Sequence, residues 1–534
     1  MGIAVRSGLA GIALCALAAC GGGGGGSPRP VTGNPGGGTG TWTAGVFAPR
    51  ADFAGQCISP RAGTSDRAGS AFTEKMFLRS WTNELYLWYN EVVDTDPNLT
   101  PDVIDYFETK LKTTQLTASG NAKDRFHFDI GTAEWIALSQ SGQSIGYGAE
   151  WVIIPQTSSR RVVIAFVEPG TPASGAANLS RGMDVLLADG VDVATANTQS
   201  EIDTLNEAFF PTATGVNHTF RVQPAGGAAR DVTMMTADIT HTPVLITKTI
   251  DQAAEKVGYI LFNDHIATAE AQLISAVNTL KTAGITDLVL DIRYNGGGFL
   301  DIANELSFMI AGPTPTTGQI FERLVFNNKN PTRDPISGEL LSPGTSFHTE
   351  AIDVGDIGNP TPGTPLPHLD LTRVYVLTGP NTCSASESII NGLRGVNVQV
   401  FQIGSTTCGK PYGFYPQDNC GTTYFSIQFQ GVNAMGQGDY PDGFAAQNQT
   451  GINSIKLTGC SVADDFTKPL GDETEGRLAA ALAFRASGNN TTTCPTASGF
   501  APGAQLKPGQ TSMSATDGKM FKNPFRENRI LRAH

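Results

Sequence analysis

Apolar residues change their spacing three times along this chain, and each change predicts a different kind of structure. Between 70 and 125 they recur every three or four positions: Phe77, Trp81, Leu85, Trp88 and Val92, then Val103, Phe107 and Leu111. That spacing predicts amphipathic helices, with Thr73 as one N-cap and Thr100-Pro101 as N-cap and first turn of the next. Between 131 and 242 the runs shorten to Trp151–Pro155, Arg161–Val167, Val185–Ala188 and His218–Val222, separated by Gly and Pro turns, with a short helix ahead of Arg181. From 243 to 490 strand-like runs alternate with helical ones. Val257–Asn263, Thr286–Arg293, Arg373–Thr378 and Val398–Ile403 read as strands. Ala269–Thr282, the stretch ending at Ile310, Ser384–Arg394 and the segment behind a capping box of Asp472 and Glu475 read as helices. Such alternation argues for an α/β layered core. The reading is therefore multidomain: a helical N-terminal domain (46–130), a β-rich domain (131–242), an α/β core (243–490) and an extended, polar tail (491–534) with a basic end.

Composition narrows the function. Of 534 residues, 40% are hydrophobic and 16% charged, enough apolar content for a sizeable core. The net charge of −13 disfavours a nucleic-acid surface. The seven His (127, 218, 241, 265, 348, 368 and 534) show no metal-ligand spacing, and no cofactor or metal is expected.

The N-terminus carries an address. Arg6 precedes a short apolar stretch, Gly8–Ala19, that ends Leu17-Ala18-Ala19-Cys20. This resembles a bacterial lipoprotein signal, residues 1–19 being removed and Cys20 taking the lipid; an ordinary secretory signal is the bland alternative. Gly21 after the cysteine fits outer-membrane sorting. The expected location is the bacterial cell envelope, on an outer membrane facing the periplasm or the outside, with residues 20–45 as a Gly/Pro/Ser tether. Six further cysteines, 57, 383, 408, 420, 460 and 494, suit disulfides in an oxidising compartment. Six allow 15 connectivities, of which Cys408–Cys420 is the most local pair.

Two patterns carry chemistry. Ser144-Ile145-Gly146-Tyr147-Gly148-Ala149, followed by Glu168-Pro169-Gly170-Thr171-Pro172 and Arg181-Gly182-Met183-Asp184, resembles a PDZ domain. The resemblance implies that Ile145, Gly146, Tyr147 and Gly148 present backbone N–H groups to a peptide C-terminal carboxylate. A β-rich spacer that binds nothing is the alternative. Farther on, Thr382-Cys383-Ser384-Ala385-Ser386-Glu387 lies between a strand and a helix, where a helix N-terminus favours developing negative charge. A Ser needs a base, and Lys410 is the only Lys between Ser384 and Lys456. A buried Lys serves as base once desolvation draws it from about 10.4 toward 7. Taken alone, Ser384 as a helix cap and Lys410 as a loop charge is the favoured reading.

In order, the PDZ-like stretch, Val257-Gly258-Tyr259-Ile260, Leu290-Asp291-Ile292-Arg293-Tyr294-Asn295-Gly296-Gly297-Gly298, Ser384-Ala385-Ser386-Glu387 and Gly409-Lys410 resemble the C-terminal (tail-specific) processing serine peptidases. The resemblance implies a Clp/crotonase-like α/β core, Ser384 as nucleophile and Lys410 as general base. It implies an oxyanion hole from the Ala385 N–H and that of Gly297 or Gly298. It also implies substrates with free C-termini. Three departures stand out. Pro411 follows the Lys where the family has Gly, the 26-residue step from Ser384 to Lys410 is one longer, and Phe414 stands where many members have a Gln that orients the Lys. Cys383, Cys408 and Cys420 flank the site, and a disulfide there would hold the Lys loop in place of that Gln. Two other classes stay open: a catalytically inactive lipoprotein that binds peptides, and an acyl-CoA enzyme on the same core.

Overall fold

The computed structural model describes residues 40–155, 159–252, 255–450, 453–497 and 529–530. The signal, Cys20 and most of the tether and tail lie outside them. Among the described residues no helix is long and apolar enough to cross a membrane.

The core is a six-stranded sheet in the order Val244–Gln252, Glu255–Phe262, Asp287–Asp291, Arg373–Thr378, Gln399–Gly404, Gly459–Cys460. Only the first pair is antiparallel. A parallel sheet is stable when both faces are covered, and its strands then read as unbroken apolar runs. Here Ile260, Leu290, Val374 and Val376 face helices Ala269–Ala283, Leu300–Ala311 and Ala385–Gly395. Tyr259, Val289, Tyr375 and Phe401 face the helix Gly476–Ala486. The last three crossovers leave loops at the carboxyl ends of neighbouring strands: Ile292–Gly297 after Asp287–Asp291, Gly379–Ser384 after Arg373–Thr378, and Ser405–Pro411 after Gln399–Gly404. Crevices outside the carboxyl ends of parallel strands are where α/β sheets bind ligands.

The PDZ-like region has its own antiparallel sheet, ordered Arg230–Met235, Asn217–Gln223, Asp184–Ala188, Arg160–Val167, Ala149–Pro155. The helix Gln199–Phe209 packs on it through Ile202, Leu205 and Phe209 against Trp151 and Phe220. A ribbon of Gln143–Gly146 and Ala237–Thr240 closes the region where the chain enters and leaves. Arg181 joins it to the core, donating to Asp464 at 2.6 Å and to the Tyr294 hydroxyl at 2.6 Å.

The N-terminal helices, Ala71–Leu85 and Val103–Lys110, share a cluster with Tyr424 of the core. Strand Phe128–Gly131 pairs with Thr422–Phe425, and Cys57 is bonded to Cys420. Residues 46–130 are thereby stitched to the core.

Several local expectations change. The first helix is capped by Ser70, because Ser70 and Thr73 exchange side-chain to backbone hydrogen bonds, and it stops before Trp88. Asp102 caps the second, since one carboxylate oxygen reaches both Ile104 N and Asp105 N. The stretch ahead of Arg181 forms turns instead of a helix. Glu475, not Asp472, caps the last helix, accepting from Leu478 N at 3.0 Å. Cys408 does not pair with Cys420: the bonds are Cys57–Cys420, Cys383–Cys408 and Cys460–Cys494. Sequence proximity misled here: Cys408 N donates to Thr382 O beside Cys383, whereas Cys420 follows the strand Gln417–Asn419, in the sheet that also holds Phe128–Gly131.

Candidate active site

Ser384 is the residue between the sheet and the helix Ala385–Gly395, with φ 59° and ψ −116°. A non-glycine residue in that region is strained, and strain of this kind gathers at functional turns. The turn is held from both sides. Cys383 N donates to Asn295 O at 3.1 Å, and Ser386 Oγ donates to the same carbonyl at 3.0 Å. Thr382 Oγ1 donates to Ile292 O. The nucleophile turn is therefore bolted to the glycine turn of the neighbouring strand.

Glu387, one turn into the helix, ties Ser384 to Lys410. Its carboxylate is fully buried and accepts four hydrogen bonds: from Ser384 N (3.1 Å), Lys410 N (2.8 Å), Gly409 N (2.9 Å) and Thr407 Oγ1 (2.5 Å). Ser384 N and Lys410 N meet on one oxygen, Oε2, which brings the two backbones side by side. Burial pushes the Glu387 carboxyl upward, and these donors pull it back. The Cys383–Cys408 disulfide makes the same connection covalently. Gly409 completes the loop at φ 83°, where a Cβ would stand 2.3 Å from Pro441 O.

Lys410 is fully buried, its Nζ 4.8 Å from the centre of the Phe126 ring and 4.6 Å from that of Phe414. Phe414 thus borders the Lys410 amine where the resemblance leads one to expect a Gln. Phe126 comes from the N-terminal region. Aromatic faces attract a cation without accepting its protons. Ser384 Oγ is buried and has no hydrogen-bond partner, so the contact between hydroxyl and amine is not closed in this arrangement.

Of the glycines, Gly297 donates its N–H to Asn295 Oδ1 at 2.9 Å and its carbonyl accepts from His265 N. Phe299 N donates to His265 O. Because successive residues of a strand turn their hydrogen-bonding groups to opposite edges, Gly298 turns its own away from His265, toward the other edge. Gly298 has φ 138°, and a Cβ there would come within 2.3 Å of His265 O. Ala385 N–H is the first of the helix, where no partner exists within the helix. Gly297 is therefore committed and Ala385 N–H remains as a donor, while Gly298 turns its own groups to the edge along which Arg529 is paired. His265 stands behind this turn, Nδ1 2.9 Å from Asn295 Oδ1, and burial pushes its imidazole down to about 3, so it is neutral.

The sequence singled out Ser384, Ala385 and Lys410 and quoted Glu387 without a role. It gave no signal for Phe126 or His265; Asn295 appeared only inside a motif. Among the described residues, two groups of Cys and Glu lie at metal-ligand distances, Cys57–Glu74–Cys420 and Cys383–Glu387–Cys408. In each the sulfurs are joined in a disulfide, which leaves no thiolate to bind an ion.

The second candidate site is a groove of the PDZ-like region, lined by Ile145, Gly148, Trp151, Phe209, Phe210 and Ile239. Gly148 has φ 78°, and a Cβ there would meet Thr171 at 2.4 Å, so glycine is required. Gly146 and Tyr147 line the same groove; Gly146 belongs to the entry ribbon, paired with Ala237, and a Cβ on it would meet open space. Tyr147 buries its ring and donates its hydroxyl to Ala208 O at 2.9 Å.

Residues 256–414 match the model of peptidase family S41. A carboxyl-terminal-processing protease from Picosynechococcus sp. (strain ATCC 27264 / PCC 7002 / PR-6) is 28% identical over 172 residues, 32% of this chain and 40% of that protein. The chain thus aligns with less than half of that relative's length. The crystal structure of a protein from Bacteroides fragilis NCTC 9343 classed as an S41 protease aligns over 78% of this chain and 98% of its own, at 21% identity and a TM-score of 0.54. That likeness establishes the fold. A PDZ domain of a carboxy-terminal protease from Vibrio cholerae, solved with a peptide, aligns over 18% of this chain and 97% of its own, at 20% identity and a TM-score of 0.15. With the strand order, the strained Ser384 and the glycine turn all inside or beside the matched segment, residues 256–414 are a peptidase family S41 domain, and the chain is a homologue of carboxyl-terminal-processing protease.

Proposed function

We propose that this protein is a serine endopeptidase that cuts protein substrates near their C-termini, with Ser384 as nucleophile and Lys410 as general base. The observation that carries the reading is the joint anchoring of Ser384 N and Lys410 N on one oxygen of buried Glu387. Neutral Lys410 would take the Ser384 proton as Oγ attacks the scissile carbonyl. The N–H groups of Ala385 and Gly298 would receive the oxyanion; as it collapses the scissile C–N bond would break and protonated Lys410 would give its proton to the leaving amine, after which water, deprotonated by Lys410, would hydrolyse the acyl-enzyme and restore Ser384. For the first step the Lys410 amine and Ser384 Oγ must close to hydrogen-bond distance. Catalytic hydrogen bonds of this kind often tighten only in the substrate complex. The PDZ-like groove would hold the substrate's C-terminus by adding it as a strand, with the turn at Gly148 over the carboxylate. Lipid on Cys20 would hold the enzyme at the cell envelope, and Cys20→Ser should then move it out of the membrane fraction.

A fluorophosphonate probe tests the chemistry directly. It should label Ser384, and Lys410→Ala should suppress the labelling. The unclosed Ser–Lys contact favours a second reading, a peptide-binding protein without turnover; no labelling of the folded wild type, with groove binding intact, would decide for it.

A further inference from the structure

The chain's own C-terminus returns to the candidate active site. Arg529–Ile530 form a short strand paired in parallel with Gly298–Phe299, in the register Gly298↔Arg529 and Phe299↔Ile530. The same two residues run alongside Tyr412–Gly413, which follow Lys410 and Pro411. The returning strand is therefore paired with the end of the glycine turn and lies close to the segment that follows the base loop. It takes the free edge of Gly298, the edge not used by His265. That edge is where the proposed reaction needs an N–H for its oxyanion and a main chain to align its substrate. Ser384, Ala385 and Lys410 are all fully buried in the intact chain.

Two features of the sequence favour this occupant. The last sixteen residues carry Lys519, Lys522, Arg526, Arg529 and Arg532 against a single acid, Glu527, in a chain whose net charge is −13. Attraction between a basic segment and an acidic body draws the tail back onto it. The tail is also securely rooted, because Cys494 is bonded to Cys460 beside the sixth strand of the core sheet. From residue 497 to residue 529 an extended chain spans up to roughly 100 Å, ample to reach any point on the core.

We infer that the C-terminal segment around Arg529–Ile530 acts in cis as a strand-adding, competitive occupant of the substrate cleft, so that the full-length enzyme restrains itself. The inference rests on the peptidase reading and deepens it by naming the regulation of the same site. A tethered segment faces its site at an effective concentration of order 1 mM, so even an intrinsic affinity near 0.1 mM would raise the apparent KM about tenfold.

The test compares the full-length protein, a chain ending at Asn523, and a full-length Arg529→Pro/Ile530→Pro variant that cannot donate to the ladder. KM for a reporter peptide should fall about tenfold in both altered forms with kcat unchanged. A synthetic peptide of residues 524–534 should compete in trans with the shortened enzyme. An unchanged KM in both forms would overturn the inference. A second arm needs no turnover. In a Ser384→Ala background, amide exchange over residues 296–300 should be at least tenfold faster in the chain ending at Asn523 than in the full-length chain. Equal exchange overturns the tail's occupancy even if the enzyme is active. Faster exchange together with no hydrolysis by any form would retain the occupancy and overturn the peptidase reading and the self-restraint built on it.

Discussion

Ser384 and Gly148 sit at comparable backbone angles, φ 59° and φ 78°, each beside a site proposed here, yet the chain treats them oppositely. At Gly148 the site asks only for backbone, so glycine takes the left-handed conformation without cost and Thr171 fills the space of the missing side chain. At Ser384 the side chain is the point of the residue, and glycine is ruled out. The strain, of order 1–3 kcal/mol, must be offset by the surroundings. Glu387, the Asn295 carbonyl and the Cys383–Cys408 bond are those surroundings. A binding turn can be made comfortable; a nucleophile turn has to be held.

The sharpest way to separate strain from chemistry is to replace Ser384 by Ala and by Gly. Both should reduce hydrolysis to background, a loss of several orders of magnitude, since neither has a nucleophile. Ser384→Gly should nevertheless unfold later in denaturant than Ser384→Ala, by about 1 kcal/mol, because only glycine relieves the angle. Equal midpoints would show that Ser384 is not strained. Next in size, Lys410→Ala should lower kcat by roughly 10²–10⁴-fold. Lys410→Arg should not restore it, as a guanidinium keeps its charge and accepts no proton; rescue by Arg would remove Lys410 from the base role.

The holding apparatus can be attacked separately. Glu387→Gln keeps one accepting oxygen and turns an amide NH2 toward donors, stranding part of the set Ser384 N, Gly409 N, Lys410 N and Thr407 Oγ1. Stability measured by urea unfolding should drop by about 2–4 kcal/mol. A drop below 0.5 kcal/mol, read on the scale of roughly 1–3 kcal/mol for one stranded buried group, would mean the carboxylate holds nothing. The smallest effect belongs to the comfortable turn. Gly148→Ala forces a side chain into φ 78° and against Thr171. It should weaken binding of an apolar C-terminal peptide by about tenfold, roughly 1.4 kcal/mol, in a titration with the Ser384→Ala protein. Undiminished affinity would show that the groove does not use this turn.

What the sequence disclosed follows from how local each signal is. Strand Arg373–Thr378 is read to the residue, since Val374, Tyr375, Val376 and Leu377 are buried on both faces and leave no gap in the run. Ser384 and Lys410 stand out because motifs in a fixed order surround them. The cap lies at Ser70, three residues before Thr73, as both residue types cap helices and the reciprocal bonds choose between them. The cysteine pairing and the seat of Lys410 on Phe126 depend on residues tens to hundreds of positions apart, about which spacing says nothing. The return of Arg529–Ile530 is written in two residues with no periodicity at all.

The bond from Cys383 to Cys408 closes a ring of chain that contains the whole helix Ala385–Gly395 and the strand Gln399–Gly404. Ser384 lies just inside the clasp of this ring and Lys410 just outside it. Breathing of the helix or strand, which loosens most proteins first at their edges, would enlarge or crumple the ring without parting its clasp. The two residues proposed to react with each other would stay neighbours through such excursions, and refolding the ring would return them to the same face of the sheet.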